Sequence, residues 1–197
     1  MSYKAWLLTI AIFGAVFVCA QEPPAADETP MFGVSVVLPS GLTGQVYKLK
    51  PESKKLPNFK KLTPVATIYA YSLAITPRDF TQGIPGVPDL LEWFAIDYTG
   101  KFYINDAGEY RFFLTSDDGS KLWIDDREVV DNNGLHAPET VEGKAKLSRG
   151  IHTIHVTYFQ GPRYHVALTL DVLPPGGEKK TFDLRDYKPP TEYFEKP

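Results

Sequence analysis

A single all-β domain, an antiparallel β-sandwich, is predicted by three features of the 197-residue sequence. Apolar and polar residues alternate over runs of roughly six residues, the period that turns one face of a strand toward a core. Gly, Pro, Asn and Asp mark turns between those runs at short, regular intervals. Helical periodicity is almost absent, so the strands must bury their faces against one another, as two packed sheets do.

In chain order, residues 1–20 read as a secretory signal peptide: Lys4 supplies the positive end and Trp6 to Val18 the apolar core, ahead of Val18-Cys19-Ala20. Cleavage after Ala20 leaves Gln21 as the new terminus. The apolar run is shorter than the roughly 20 residues a membrane-spanning helix needs. Cys19 is the only cysteine. A lipidated cysteine normally follows a small residue, which Phe17 and Val18 are not. The expectation is therefore a secreted or extracytoplasmic protein, in the periplasm or at a cell surface, attached to a membrane only if the leader stays uncleaved or Cys19 carries lipid. Without Cys19 the mature chain has no thiol and must rely on its core, which a domain of this size can do.

Residues 21–40 form an N-terminal spacer, proline-rich and acidic to Pro30, with a possible first strand in the apolar Met31–Leu38 run. The sandwich is expected over residues 41–173. Gly41 to Leu49 reads as its entering strand. Pro51, Pro57 and Pro64 interrupt the lysine-rich stretch that follows and argue against a long helix there. Thr67 to Ile75 is one β-rich run, and 78–88, with two Gly and two Pro, is a surface loop. Phe94, Ile96 and Tyr98 alternate, as do Phe102 and Ile104, and Thr99-Gly100 between them suggests a hairpin. Ala107-Gly108 turns the chain into Tyr110, Phe112 and Leu114, which share a face. Leu122 with Ile124, then Ile154, Val156 and Tyr158, then Val166, Leu168, Leu170 and Val172, repeat the alternation. Residues 174–197 are a proline-rich tail in which Thr181–Leu184 can add an edge strand. Tyr187, Tyr193 and Phe194 either pack along the domain or serve as a docking strip.

Composition narrows the partners. With 43% apolar and 23% charged residues the chain is an ordinary globular mix of net charge −3, and losing Lys4 with the leader makes it more negative. Nucleic acid is excluded as a partner, because that affinity rests on Lys and Arg neutralising phosphates.

Chemistry concentrates between residues 110 and 136. Ser116-Asp117-Asp118-Gly119-Ser120 joins two strand-like runs, and Asp131-Asn132-Asn133-Gly134 makes a second polar turn after Val129-Val130. Adjacent carboxylates repel and each needs solvation, so they must face water or a cation. Two readings stand: a cation site, or a solvated turn whose aspartates accept backbone N–H bonds.

Residues 41–173 resemble the PA14 domain, the β-sandwich module of protective antigen, yeast flocculins, epithelial adhesins and many bacterial glycosidases and surface proteins. The resemblance rests on Gly108-Glu109-Tyr110-Arg111-Phe112, on Thr115 to Asp125, on Val129 to His136, on Leu147 to His152 and on Val156-Thr157-Tyr158-Phe159. Together and in this order these motifs are specific.

In the sugar-binding members an adjacent aspartate pair, often joined by a cis peptide, holds Ca²⁺, and the ion binds vicinal sugar hydroxyls. The resemblance implies that Asp117 and Asp118 are that pair. Asn132 and Asn133 are further expected metal ligands, and Asp131, His136, Gln160 and Tyr164 join the two aspartates as expected ligand-binding residues. Calcium suits such a site, since it takes six to eight hard oxygens in irregular geometry. His136 can instead make a structural bond, and Tyr164 can be a packed rim residue instead of a platform for a sugar face.

A secreted, lectin-like carbohydrate-binding module with an adhesive role is one reading. A non-catalytic extracytoplasmic structural or protein-interaction domain, bound to another cell-surface protein, is the other. Catalysis is not expected: Asp117 and Asp118 are adjacent and cannot flank a glycosidic bond, and no His-Glu-x-x-His, Gly-x-Ser-x-Gly or phosphate loop occurs. His152 and His155, three apart on a strand, point to opposite faces and cannot share a metal. Trp93 and Trp123 are expected in the sheets.

Overall fold

The computed structural model describes residues 41–87 and 89–190. Among the described residues eleven strands are formed: β1 (Leu42–Lys48), β2 (Ala66–Ala70), β3 (Ala74–Asp79), β4 (Phe94–Ile104), β5 (Gly108–Asp117), β6 (Ser120–Ile124), β7 (Arg127–Asn132), β8 (Glu139–Leu147), β9 (Gly150–Gln160), β10 (His165–Leu173) and β11 (Lys180–Thr181). One sheet has six strands in the order β2-β1-β4-β9-β6-β7; the other runs β11-β10-β5-β8, with β3 also paired to β10. All pairings are antiparallel. The leader, the spacer to residue 40 with its possible first strand, and Tyr193 and Phe194 lie outside the described residues.

The inward faces follow the alternation. Phe94, Ile96, Tyr98, Phe102 and Ile104 meet Phe112, Leu114, Leu168, Leu170 and Val172 across one continuous buried core. Residues 94–104 form a single strand, not a hairpin: β4 pairs with β9 along its whole length, from Phe94 opposite Gln160 to Ile104 opposite Gly150. The two apolar sets share one parity, which is what a continuous strand requires. Gly100 answers a close approach instead of a turn, since a Cβ there would lie 3.0 Å from Leu42 Cδ2 and 3.2 Å from the Gly41 carbonyl oxygen.

The 67–75 run is divided between sheets, with β2 in one and β3 in the other. The expected loop at 78–88 begins as strand: β3 continues to Asp79 beside β10, and the Asp79 carboxylate then caps a short 3-10 turn by accepting from Thr81 N at 2.9 Å. β8 was not apparent from sequence. Its inward positions are Val141, Gly143, Ala145 and Leu147, too small a set to stand out as an apolar face. Gly143 is small because β7 crosses there; a Cβ would sit 2.0 Å from the Val129 carbonyl oxygen.

Residues 180–187 pack along their own domain. Phe182 and Leu184 are each 1% exposed, and Phe182 meets the rings of Phe102, Phe112 and Tyr187 at 4.8–5.9 Å. Tyr103 N donates to the Tyr187 carbonyl at 2.7 Å, which ties this stretch to β4.

Candidate functional site

Ser116 to Ser120 carries the chain from β5 in one sheet to β6 in the other, so the acidic turn spans one end of the sandwich. Its polar side chains are internal. The Ser116 and Ser120 hydroxyls bond at 2.7 Å, and Asn132 Nδ2 donates to Ser116 Oγ and to the Glu139 carbonyl, each at 3.1 Å. Gly119 lets the 131–134 loop close over the turn, because a Cβ would lie 2.5 Å from Phe159 Cε1 and 2.6 Å from Gly134 N. The Asp117–Asp118 peptide bond is cis.

The two carboxylates are treated differently. Asp118 accepts the backbone N–H of His136 at 3.2 Å and of Gly161 at 2.7 Å, one on each oxygen. It thereby joins the acidic turn to both neighbouring loops. The Asp117 carboxylate accepts no hydrogen bond from the described residues; burial and the charge of Asp118 push its pKa up to about 6, against a smaller pull from His165 and His136. Asp118 is also pushed up by burial, an effect its two N–H donors oppose. Both residues are only 5% exposed. A turn that simply faced water would not show this burial, and the desolvated pair stands short of positive charge.

Tyr158 supports the pair from below. Its hydroxyl donates to the Asp117 carbonyl at 2.6 Å and touches the Gln160 side-chain oxygen. Burial first, then the two aspartates, hold this phenol well above its ordinary pKa, so it remains a donor.

The other expected residues divide by their bonds. Asn132 lies beneath the pair, 5% exposed, with its amide nitrogen committed. Asn133 Oδ1 accepts Leu56 N at 2.9 Å and fastens the loop to the 50–58 stretch. Asp131 is held by Lys121 at 2.6 Å and accepts Asn133 N at 3.1 Å. The His136 ring lies against its own loop, Nδ1 at 2.9 Å from the Ala137 carbonyl and Nε2 at 3.0 Å from that of Asn132. Gln160 is fully buried and donates to the His165 carbonyl at 2.9 Å. Tyr164, by contrast, is 76% exposed, and Leu135 is the other large apolar side chain exposed in these loops.

Sequence reasoning named the loops that meet at the acidic turn but missed what fixes them. Tyr158 reads as a core position in an alternating strand, and only its hydroxyl distinguishes it from the Phe that would fill the same space. Gly161 reads as a turn glycine. Its role is close packing: a Cβ would fall 2.6 Å from Leu135 Cδ2 and 3.0 Å from Asp118 Oδ2. Trp93 N donates to the Gly161 carbonyl at 3.2 Å, and Trp123 stacks on His155 at 4.8 Å. His152 and His155 take separate aspartates, Asp125 and Asp97. Among the described residues no group of three or more His, Cys, Asp or Glu is placed to hold a metal ion. Any cation at the turn must therefore depend on two carboxylates and neutral oxygens.

Solved structures with similar folds include the PA14 domain of the MpAFP antifreeze protein, at 20% identity and TM-score 0.61 over 74% of this chain and 88% of that one. The PA14 sugar-binding domain of an RTX adhesin aligns at 19% identity and TM-score 0.61, over 74% of this chain and 96% of that one. The Epithelial Adhesin 9 A domain of Candida glabrata, solved with Galβ1-3GlcNAc, aligns at 15% identity and TM-score 0.53, over 75% and 87%. No curated protein sequence matches the chain. The PA14 domain family model matches residues 79–186, more than half of the sequence, and on that match the chain belongs to the PA14 domain family.

Proposed function

We propose that this chain is a non-catalytic carbohydrate-binding module, acting outside the cytoplasm, that takes sugar hydroxyls at the Asp117–Asp118 turn through Ca²⁺. The observation that carries the reading is the pair itself: two carboxylates, each 5% exposed, one of them without a hydrogen-bond donor among the described residues. A divalent cation relieves both the repulsion and the desolvation. The sugar-binding RTX adhesin domain and the glycan-bound epithelial adhesin share the sandwich, which supports a carbohydrate partner.

The donor set fits calcium in kind, hard oxygens from Asp117 and Asp118, with neutral oxygens needed to complete the shell. When bound, the ion would supply a site for two adjacent hydroxyls. Asp118 fixes the two flanking loops through their N–H groups. Tyr158 holds the Asp117 carbonyl and so the direction in which the pair projects. Tyr164 and Leu135, exposed on those loops, are the side chains available to contact a sugar ring. Asp131, Asn133, His136 and Gln160 each make a bond to the protein itself, while Asp131 and Asn133 also remain exposed.

Those internal bonds also favour a second reading, a PA14 sandwich that uses the turn for architecture and binds a protein partner. A glycan panel probed with the purified protein in millimolar Ca²⁺ and in chelator separates them. Binding that disappears with chelator, and in D117N/D118N with the fold retained, supports the lectin. A folded protein silent in both conditions rules it out in favour of protein interaction.

A further inference from the structure

We propose that the saccharide taken at the aspartate turn is an acidic one, its anionic group held by a basic arc, residues 49–56, that bridges the two loops flanking Asp118. The inference deepens the carbohydrate reading and rests on it. Both ends of the arc are tied to the site by hydrogen bonds. Leu49 N donates to the Trp93 carbonyl at 2.7 Å, Trp93 N to that of Gly161 at 3.2 Å, and Gly161 N to the Asp118 carboxylate at 2.7 Å. Leu56 N donates to Asn133 Oδ1 at 2.9 Å, in the loop whose His136 N–H goes to the other Asp118 oxygen. The arc therefore runs from one site loop to the other.

The charge of this stretch is the argument for an anion. From residue 48 to 61 the chain carries six lysines and one acid, Glu52, within a protein of net charge −3. Lys50, Lys54 and Lys55 fall inside the arc and are exposed. Among the described residues none of the three has an ion-pair partner. The acids beside its two anchors are taken elsewhere, Glu92 by Arg163 at 3.3 Å and Asp131 by Lys121 at 2.6 Å. Lysines gathered in this way raise the local potential and draw anions to the rim of the site.

The arc also has a fixed seat. Ser53 Oγ donates to the Lys50 carbonyl at 2.7 Å and closes a turn. Leu49 and Leu56 pack with Phe59, Leu62 and Trp93 around Ala95 and Phe159, a small apolar cluster separate from the main core. Phe159 serves both structures, because its ring also lies against Gly119 of the acidic turn. With the apolar side chains of the arc turned to this cluster, its lysines are the groups left to meet a ligand. A neutral sugar gives them no charge to bind, whereas a sulfate or carboxylate on the same chain does.

The probe is a keratan sulfate hexasaccharide, a sulfated Galβ1-4GlcNAc repeat, titrated calorimetrically into the purified protein in millimolar Ca²⁺ beside its desulfated form. The sulfated form should bind about tenfold more tightly, the combined effect of three exposed ion pairs, and added salt should narrow the gap. K50Q/K54Q/K55Q should erase the advantage, and K50R/K54R/K55R, which keeps the charge, should retain it. A sialylated counterpart, with carboxylate in place of sulfate, identifies which anion the arc takes. Silence toward both forms, equal affinity for them, or an advantage that survives K50Q/K54Q/K55Q in a folded protein overturns the proposal. Equally tight, lysine-dependent binding to phosphatidylglycerol vesicles overturns it in favour of an anionic membrane surface. Binding that needs the lysines but is unchanged in D117N and in chelator removes the calcium reading instead, so the two failures are distinguishable.

Discussion

Replacing Asp117 by Asn should make the metal-free protein more stable. In the folded chain the Asp117 pKa is pushed up from 3.8 to about 6, chiefly by burial. Below 3.8 the side chain is protonated whether folded or unfolded and contributes nothing. Between 3.8 and about 6 the unfolded chain ionises first, so a penalty on folding builds with pH and is fully present above about 6. At about 1.4 kcal/mol per tenfold change in proton affinity, the displacement corresponds to about 3 kcal/mol, which water at the loop rim screens to about 2 kcal/mol. Asparagine carries no charge to desolvate and keeps the backbone carbonyl that Tyr158 holds. In a domain of this size, D117N should melt about 4–8 °C above wild type at pH 7 in chelator. Differential scanning calorimetry across pH 4 to 7.5 measures both the gap and its decline toward acid. Saturating Ca²⁺ should reverse the order by stabilising only the wild type. A variant melting at or below wild type in chelator at pH 7, or a gap that does not change with pH, would refute the reasoning.

Other substitutions probe the frame around the pair. Tyr158→Phe deletes a buried hydroxyl from the Asp117 carbonyl and should cost about 1–3 kcal/mol in urea denaturation, with a parallel loss of Ca²⁺ affinity. Gly161→Ala places a methyl group 2.6 Å from Leu135 Cδ2 and 3.0 Å from Asp118 Oδ2; it should cost about 1–3 kcal/mol and weaken Ca²⁺ binding, both read by thermal melts with and without the ion. Gly143→Ala meets a backbone oxygen at 2.0 Å that no rotamer change can relieve, and should lower the melting temperature more than Gly161→Ala does. Phe182→Ala opens a cavity among three rings and should cost about 3–5 kcal/mol, a direct calorimetric measure of how far the tail segment belongs to the fold.

The sandwich was legible because its inward residues are large and share a parity, as in 94–104 and 166–172. It was less legible where the fold demands small residues. Gly100 imitates a turn because Leu42 and the Gly41 carbonyl press on it, and β8 carries Gly143 and Ala145 where a strand would advertise Val or Ile. At the candidate site the two aspartates and the second polar turn could be named from sequence, since Asp-Asp-Gly and Asp-Asn-Asn-Gly are local signals. What each side chain does could not. Asn133 finds Leu56 across 77 residues, and Gln160 turns inward to the Tyr158 hydroxyl and the His165 carbonyl. Such bonds depend on loop closure over long separations, which no window of sequence contains.

Asp118 binds its two neighbouring loops only by their backbone N–H groups, at His136 and Gly161. A main-chain donor is supplied by every residue except proline. The attachment therefore says almost nothing about the side chains that project from those loops. Leu135, Ala137, Arg163 and Tyr164 can be exchanged for residues of different size and polarity while the anchor keeps its place. The arrangement separates the part that holds a ligand's charge or metal from the part that chooses among ligands, so one sandwich can acquire a new preference by a few loop substitutions without being rebuilt.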